Sequence, residues 1–300
     1  MKYYEIFDFL FPKKESKNII GSINPSSEIK KTIVFSAHHD SAYEFNTFYY
    51  LKRFGQTIIN IGYGGVVLIF FAIILKMIFF ILSREFLILF LLFGIIFIVF
   101  TPIIAIYVFF HSYHPVLGAC DNLSGVAVVF GIGKFLFENK SNQNVYPKGT
   151  KVRLISFAGE ESGLRGAKRY VEAHLKELTE SRTIVVNMDS IAKKDKIIIH
   201  DKELGIGAKH NQEVFEHLLK IANDLNIKAK LTPLPFGATD GAAFSKKRIS
   251  AASIGGLNLK EELAPYYHTR EDKPEVVEKE ALGQVLRICL EYLKFIDGSS

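Results

Sequence analysis

The stretch from 157 to 163 reads Phe-Ala-Gly-Glu-Glu-Ser-Gly, and it ends a mostly apolar run that begins at Val152. Neighbours on an extended segment point to opposite sides, whereas a turn directly after the strand can aim both glutamates at one cavity. Two carboxylates held that close repel each other unless a cation lies between them or one is protonated. The pair Glu160 and Glu161 is therefore a candidate for metal chemistry, in which one carboxylate binds the ion and the other moves a proton. A lone glutamate pair is most often solvated, so the hypothesis depends on the rest of the chain.

Short apolar runs alternate with helical patterns on both sides of this stretch. The predicted strands are 33–36, 151–157, 183–188, 196–200, 229–234 and 250–254. The predicted helices are 126–137, 164–178, 212–225, 240–245 and 274–296. This alternation predicts an α/β fold with a mostly parallel central sheet flanked by helices. We expect Asp272 to cap the last helix, with Pro274 in its first turn.

Two long apolar runs interrupt this pattern. The first extends from Thr57 to Leu82, the second from Phe86 to Phe110, and the break between them reads Ser-Arg-Glu. Each run is long enough to cross a hydrocarbon core of about 30 Å, which takes about 20 helical residues. A buried helical pair in a soluble core or a dimer interface is the alternative, but all faces of both runs are apolar. We therefore predict a transmembrane hairpin, residues 51–110 with helices 57–82 and 86–110, inserted into a domain formed by residues 1–50 and 111–300.

Composition limits the remaining classes. With 300 residues, one large domain or two small ones are possible. The net charge of +6 comes without a long basic block or a nucleic-acid motif, so we expect no nucleic-acid partner and a weak attraction to anionic lipid. The two cysteines, Cys120 and Cys289, form no disulfide framework and suit a reducing compartment. The first residues, MKYYEIFDFLFPKK, lack the pattern of a signal peptide.

Several other acidic and histidine residues follow predicted strands or open predicted helices. They are His38, Asp40, Asp121 and Asp189, to which we add His268 in the stretch Tyr-Tyr-His-Thr. Sites in open parallel sheets form at the carboxyl ends of the strands, so these residues can converge although they span most of the chain. Imidazole and carboxylate are zinc ligands, and five such ligands with one carboxylate shared suit two ions about 3.5–4 Å apart.

Six stretches together resemble the co-catalytic zinc aminopeptidases of the M28 family. They are Ala37-His-His-Asp-Ser41, Asp121-Asn-Leu-Ser-Gly125, Glu160-Glu-Ser-Gly-Leu-Arg-Gly166, Asn187-Met-Asp-Ser190, Thr239-Asp-Gly-Ala-Ala-Phe244 and Tyr267-His-Thr269. The resemblance covers about residues 18–50 and 112–297 and implies the zinc-exopeptidase fold. It does not cover the hairpin, which falls between the first histidine motif and the aspartate motif. The family usually has more structure before the first strand, so the amino end of this chain looks shortened.

The resemblance implies two zinc ions and a ligand for each position. His38 and Asp189 would bind one ion, Glu161 and His268 the other, and Asp121 would bridge them. Adjacent glutamates suit this arrangement, because the base must stay off the metal while its neighbour binds it.

The resemblance also implies the roles of residues that bind no metal. Glu160 would be the general base and then the general acid, and Asp40 would hold the His38 ring by its second nitrogen. Tyr267 could donate to the substrate carbonyl oxygen. The bond Asp121–Asn122 is often cis in the family, and we expect it to be cis here.

The predicted function is a membrane-anchored dizinc aminopeptidase that acts on peptides with a free amino terminus. Three alternatives remain open: a glutaminyl cyclase, which resembles this family but uses one zinc; an acylase-like enzyme from a neighbouring dizinc family; and a non-catalytic receptor or scaffold. The complete ligand set argues against the first and the last of these. Side-chain preference and oligomeric state are not indicated by the sequence.

The predicted hairpin places both of its flanking segments on one side of the membrane. Lys52 and Arg53 flank the first helix on the domain side, whereas Lys76 and Arg84 lie towards the tip, so basic residues do not decide the orientation. The few cysteines and the absence of a visible leader favour a cytoplasmic catalytic domain.

Overall fold

The structure, a computed structural model, describes residues 5, 8–10, 12–110, 112–256 and 266–298. Within them the chain forms nine strands and eight α-helices. The strands are β1 (Ile19–Ile23), β2 (Lys31–His38), β3 (Thr150–Phe157), β4 (Ile184–Asp189), β5 (Ile197–His200), β6 (Lys202–Glu203), β7 (Ala208–Lys209), β8 (Ala229–Leu231) and β9 (Ser250–Gly255). The helices are α1 (Asn46–Leu51), α2 (Arg53–Ile81), α3 (Leu87–Ala105), α4 (Ser124–Glu138), α5 (Arg165–Glu180), α6 (Gln212–Asp224), α7 (Asp240–Lys246) and α8 (Lys279–Gly298).

Seven of these strands form one sheet in the order β1-β3-β2-β4-β9-β5-β8, and β6 pairs with β7 separately. Four pairings in the large sheet are parallel, whereas β1 with β3 and β5 with β9 are antiparallel. Helical crossovers are the usual connection between parallel neighbours, which agrees with the alternation of helices and strands in the sequence. The predicted mostly parallel α/β sheet is confirmed.

Helices cover both faces of the sheet because successive side chains of its strands point in opposite directions. In β2, Ile33 and Phe35 pack into the core under α4, α6 and α8, whereas Val34 packs into the core under α5 and α7. All three side chains are fully buried. A strand that is apolar on both faces is typical of a central position in such a sheet.

The chain divides into two compact units, which we describe separately. The core unit comprises Met1–Ser41, Leu117–Leu259 and Asp272–Ser300, and it contains the sheet and helices α4–α8. The hairpin unit comprises Ala42–Val116 and Lys260–Glu271, and it contains α1–α3. The hairpin unit thus extends beyond the predicted insertion at both ends and includes a distant segment around His268.

Helices α2 and α3 of the hairpin unit are joined by a short turn at Ser83-Arg84-Glu85, as the sequence predicts. They approach closely at Gly65, where an added Cβ would lie 2.7 Å from the Phe100 ring. Most other side chains on these helices are apolar and exposed. The first helix begins at Arg53 and the second ends at Ala105, continued by a 3-10 turn, so the predicted limits were a few residues off.

Three helical segments of the described chain are long and apolar enough to cross a membrane. They are Phe54–Ile81, Leu87–Phe109 and Ala119–Glu138. The third belongs to the core unit, where Val128, Val129, Ile132 and Leu136 of α4 pack against the sheet. The first two have almost no buried residues, which agrees with the predicted hairpin.

The last helix and the edge of the sheet also differ from the sequence-based expectations. Residues 274–276 form a 3-10 turn and α8 begins only at Lys279, so Asp272 does not cap this helix. The strand β1 was not predicted, because it lies at the edge of the sheet with mostly exposed side chains and therefore lacks a buried apolar pattern.

Candidate metal centre

The carboxyl ends of three neighbouring strands bring the predicted site residues of the core unit together. In the parallel pair β2 and β4, Ser36 is opposite Asn187, so His38 and Asp189 each lie two residues further along in the same direction. In the pair β2 and β3, His38 is opposite Phe157, after which the chain turns into the glutamate pair. The period of two in a strand therefore sets which side chains reach this end of the sheet.

The imidazole of His38 is the centre of the cluster. Its Nε2 lies 3.3 Å from Oδ1 of Asp121, 3.9 Å from Oδ2 of Asp189 and 3.9 Å from Oε2 of Glu160. This nitrogen is buried and makes no hydrogen bond with the residues that the structure describes. Ligand atoms of His38, Asp121 and Asp189 all lie within 4.8 Å of one another. One imidazole nitrogen and two carboxylates at this spacing fit the donor set of a zinc ion.

Asp40 organises the turn that carries the glutamate pair. Its two carboxylate oxygens accept hydrogen bonds from the backbone N–H groups of Glu160 and Glu161, each at 3.1 Å. Nδ1 of His38 donates to the backbone carbonyl of Asp40 at 3.0 Å, whereas the Asp40 carboxylate is 3.7 Å away from this nitrogen. The expected contact with the His38 ring is therefore made mainly by the backbone of Asp40, and its carboxylate fixes the two glutamates.

A second aspartate fixes the segment around Asp121. The carboxylate of Asp272 accepts hydrogen bonds from the N–H groups of Cys120 at 2.7 Å and Asp121 at 3.1 Å. Asn122 donates to the carbonyl of Met188 at 2.9 Å, and its side-chain oxygen accepts from the N–H of Ser190 at 3.2 Å. The peptide bond Asp121–Asn122 is cis, as expected. These bonds connect the Asp121 segment to both residues that flank Asp189.

The electrostatics of this cluster are those of several buried acids around one base. Burial lowers the pKa of the His38 imidazole, but Glu160, Asp121 and the neighbouring carboxylates outweigh it and raise that pKa well above its usual value. Burial raises the pKa of Asp189 to about 7, although His38 opposes the shift. Burial and the adjacent Glu161 also raise the pKa of Glu160 well above its usual value, against the influence of His38. Such a cluster lowers its free energy by sharing protons or by binding a cation.

Asp240 is a further acidic residue of the core unit, and it lies in the stretch Thr239-Asp-Gly-Ala-Ala-Phe244 that is part of the family resemblance. It is fully buried at the start of α7, and within the described part of the chain neither carboxylate oxygen makes a hydrogen bond. Burial raises its pKa to about 8. The preceding Thr239 is held by the buried Glu203, which accepts hydrogen bonds from its N–H at 2.9 Å and its hydroxyl at 2.7 Å. The Asp240 carboxylate therefore does not act as a helix cap.

The other predicted site residues divide between the two units. Glu161 belongs to the core unit, where Asp40 holds its backbone next to Glu160. His268 and Tyr267 belong to the hairpin unit. Their rings are stacked with centroids 4.0 Å apart, and His268 is buried with a left-handed φ of 49°. The structure thus brings together His38, Asp121, Asp189 and Glu160 in one unit, and the catalytic or metal-binding role of each residue stays a prediction.

Two observed partners of the cluster were not identified from the sequence. Asp272 was interpreted as a helix cap, because Pro274 follows it and an apolar periodic pattern begins soon after. Asn122 belongs to one of the six motif stretches, but the sequence did not indicate that its side chain links two segments of the cluster. Both act over long sequence separations, for which a single sequence contains no local signal.

Comparisons with known proteins bear on the family and the fold of this chain. The sequence profile of peptidase family M28 matches residues 105–293. Aminopeptidase YwaD of Bacillus subtilis (strain 168) is 32% identical over 171 residues, which cover 56% of this chain and 35% of the relative. The chain therefore spans about a third of the length of this curated relative.

Solved structures with the same fold include proteins of two activities. A zinc aminopeptidase from Bacillus subtilis is 21% identical and has a TM-score of 0.55, with 94% of this chain and 50% of that chain covered. A glutaminyl cyclase from an Acidobacteriales bacterium is 15% identical and has a TM-score of 0.57, with 94% of this chain and 74% of that chain covered. At these identities the likeness shows the fold. Because the family profile matches well over half of the sequence, from before Asp121 to beyond His268, the chain belongs to peptidase family M28.

Proposed function

We propose that this chain is a zinc-dependent aminopeptidase, anchored in a membrane, that hydrolyses the first peptide bond of peptides with a free amino terminus. The observation that carries the proposal is the buried Nε2 of His38, which lies 3.3–3.9 Å from three carboxylates at the carboxyl end of the sheet. Membership of the family and the aminopeptidase relatives support the same activity.

Two zinc ions would be held by the predicted ligands. His38 and Asp189 would bind one ion, Asp121 would bridge, and Glu161 with His268 would bind the second. The grouping of His38, Asp121 and Asp189 supports the first position, and the second rests on the resemblance. Bound zinc supplies a Lewis acid that makes water more acidic and stabilises developing negative charge on a carbonyl oxygen.

The protein's own residues would move the proton and orient the groups. Glu160 takes a proton from the attacking water and delivers it to the leaving amine, a role that typically contributes a factor of about 10²–10⁴. Asp40 supports this role because its carboxylate fixes the backbone of Glu160 and Glu161. We assign the Tyr267 hydroxyl the role of a donor to the substrate carbonyl oxygen.

A glutaminyl cyclase is the second candidate, since a structural neighbour of this fold is a glutaminyl cyclase. That activity would require cyclisation of an amino-terminal glutamine and is expected with one zinc per chain. An acylase-like activity would require cleavage of substrates with blocked amines. A receptor or scaffold would show neither turnover nor stoichiometric zinc.

The amino-terminal preference provides the direct test of the proposed activity. We expect kcat/KM for a free peptide to exceed that for its acetylated counterpart by roughly 10² or more, because a site that pairs its carboxylates with an ammonium group rejects analogues that lack it. Detergent-purified full-length protein would be assayed on matched peptide pairs, and zinc would be measured on the same sample. Equal rates on both peptides would favour the acylase, and release of cyclised glutamine with one zinc would favour the cyclase.

We further propose that α2 and α3 form the membrane hairpin of an inserted segment, residues 51–110, between the two parts of the peptidase domain, 1–50 and 111–300. The two helices are long enough, apolar and almost without buried residues. The core unit would lie in the cytoplasm, because both cysteines are free and suit a reducing compartment. A hairpin requires both flanking segments to lie on one side, so only the turn around Ser83 would reach the far side.

Single cysteines can establish this orientation. In intact cells, an impermeant thiol reagent is expected to label Ser83→Cys at the hairpin turn and not Ser141→Cys in the core unit. Both serines are exposed, and the native Cys120 and Cys289 are buried, so background labelling should be low. Permeabilised cells, in which both variants should react, are the control. Labelling at Ser141 alone would place the enzyme outside the cell.

A further inference from the structure

The segment that carries His268 is part of the hairpin unit. This unit combines Ala42–Val116, which contains the two long apolar helices, with the distant segment Lys260–Glu271, of which residues 266–271 are described. The base of the hairpin, here Tyr43–Asn46 and Ser112–Pro115, lies within the first segment. The contacts between the base and the His268 segment are all made inside one unit.

Backbone hydrogen bonds connect the hairpin base to His268. The N–H of Phe45 donates to the carbonyl oxygen of His268 at 2.7 Å. The neighbouring Glu44 donates its N–H to the carbonyl of His114 at 2.9 Å and accepts from the N–H of Ser112 at 2.8 Å. The segment that leads into the hairpin, at Glu44 and Phe45, is therefore hydrogen-bonded both to the segment that follows the hairpin and to the His268 segment.

Ring contacts add a second connection at the same place. The Phe45 ring lies 4.5 Å from the His268 ring and 4.4 Å from the ring of Phe110, centroid to centroid. Phe110 is the last residue of the second apolar run and precedes Ser112 of the hairpin base by two positions. The orientation of the His268 imidazole is thus set in part by an aromatic residue that packs on the end of the hairpin.

An ion pair provides the third connection. Oε1 of Glu44 accepts hydrogen bonds from the backbone N–H and Nε of Arg270, at 3.0 and 2.8 Å, and Oε2 accepts from Nη2 at 2.7 Å. The Glu44 side chain is only 2% exposed, and the Arg270 guanidinium lies 4.2 Å from the ring centroid of Tyr49 in α1. The hydrogen bond from Arg270 lowers the pKa of Glu44, which keeps the carboxylate charged. A bidentate ion pair of this kind fixes the relative orientation of the two side chains in addition to pairing their charges.

We propose that Glu44, Phe45 and Arg270 are positioning residues for His268, so that the base of the hairpin orients this proposed zinc ligand as well as attaching the membrane helices. The inference rests on the proposed function, which assigns His268 to a zinc ion. Residues that orient a metal ligand typically affect metal affinity by a factor of 10–100. The hairpin and the second zinc are then coupled, and a change at the base alters the affinity for the metal.

Zinc affinity of the full-length, detergent-purified protein tests this coupling. Glu44→Gln removes the negative charge of the ion pair. Arg270→Lys keeps the positive charge but cannot make the bidentate hydrogen bonds of the guanidinium. Phe45→Leu keeps an apolar side chain and removes the aromatic ring. We expect each variant to release one of its two zinc ions at a chelator concentration roughly 10–100 times lower than wild type, with the affinity for the other ion unchanged. Glu177→Gln, which breaks the ion pair with Arg153 in the core unit, is the matched control and should leave both affinities unchanged.

Circular dichroism and thermal unfolding of each variant separate positioning from folding. Loss of both zinc ions in proportion to loss of folded protein would overturn the positioning role, and so would two zinc ions bound with wild-type affinity in all three variants. A wild-type protein that binds a single zinc would overturn the proposed two-zinc function and this inference together. Two zinc ions in the wild type with unchanged variants would overturn the inference alone.

Discussion

Glu160→Gln is expected to lower kcat by roughly 10³ while the purified protein keeps its full zinc content. The substitution preserves the size of the side chain and removes its ability to take a proton, and general acid–base catalysis contributes a factor of about 10²–10⁴. The turn should be retained, because Asp40 binds the backbone N–H of residue 160 and not its side chain. Initial rates on a free peptide and zinc analysis of the same sample measure both parts of the expectation.

Glu161→Gln is the matched control for this variant. It makes the same chemical change one residue further along the same turn, where Asp40 holds the backbone equally. Because Glu161 is assigned to a zinc ion and Glu160 to the proton, Glu161→Gln should lose zinc as well as activity. Substantial turnover by Glu160→Gln would contradict the assignment of base and ligand. So would the opposite zinc pattern, in which Glu160→Gln loses zinc and Glu161→Gln keeps it.

The large sheet could be predicted because its central strands are buried on both faces. The apolar run that contains Ile33, Val34 and Phe35 has no solvent-exposed member, so it predicts a strand without reference to distant residues. The polar residues that follow such runs are then placed at one edge of the sheet by the parallel pairing alone. This explains why His38, Asp189 and the glutamate pair could be assigned to one site from the sequence.

The contacts that support the site could not be predicted in the same way. Asp272 is separated by about 150 positions from the two N–H groups that it accepts from, and locally it has the pattern of a helix cap. Asp40 was expected to hold the His38 ring by its second nitrogen, but the sequence did not indicate that its backbone carbonyl would be the closer acceptor. Which polar atom makes a contact depends on backbone direction, and side-chain type does not determine it.

The sequence also does not predict which segments of the chain make up the hairpin unit. The apolar runs predict the two helices, since about 20 apolar residues suffice to identify a candidate span. They do not predict that Glu44 pairs with Arg270, 226 positions away, or that Phe45 pairs with His268. These contacts join residues on opposite sides of a long insertion and follow only from the folded chain.

Zinc content is expected to fall in a defined pattern when single ligands are removed. His38→Ala and His268→Ala should each retain about one zinc ion per chain, because each removes a ligand from a different position. Asp121→Ala should retain close to none, because Asp121 is the shared ligand and its loss weakens both positions. In the structure Oδ1 of Asp121 lies 3.3 Å from Nε2 of His38, and with Asp189 these residues form one candidate metal group. Activity should be lost in all three variants, since the proposed reaction requires both ions.

The measurement is zinc per chain by elemental analysis after dialysis, with circular dichroism to confirm that each variant is folded. His174→Ala is the matched histidine control. Its Nδ1 donates to the carbonyl oxygen of Tyr170 on the outer helix α5 at 3.0 Å, and the variant should keep two ions. Two zinc ions in His268→Ala would remove His268 from the centre and leave the core-unit cluster as the whole site. One ion in Asp121→Ala would show that Asp121 does not bridge, and the two positions would then be independent.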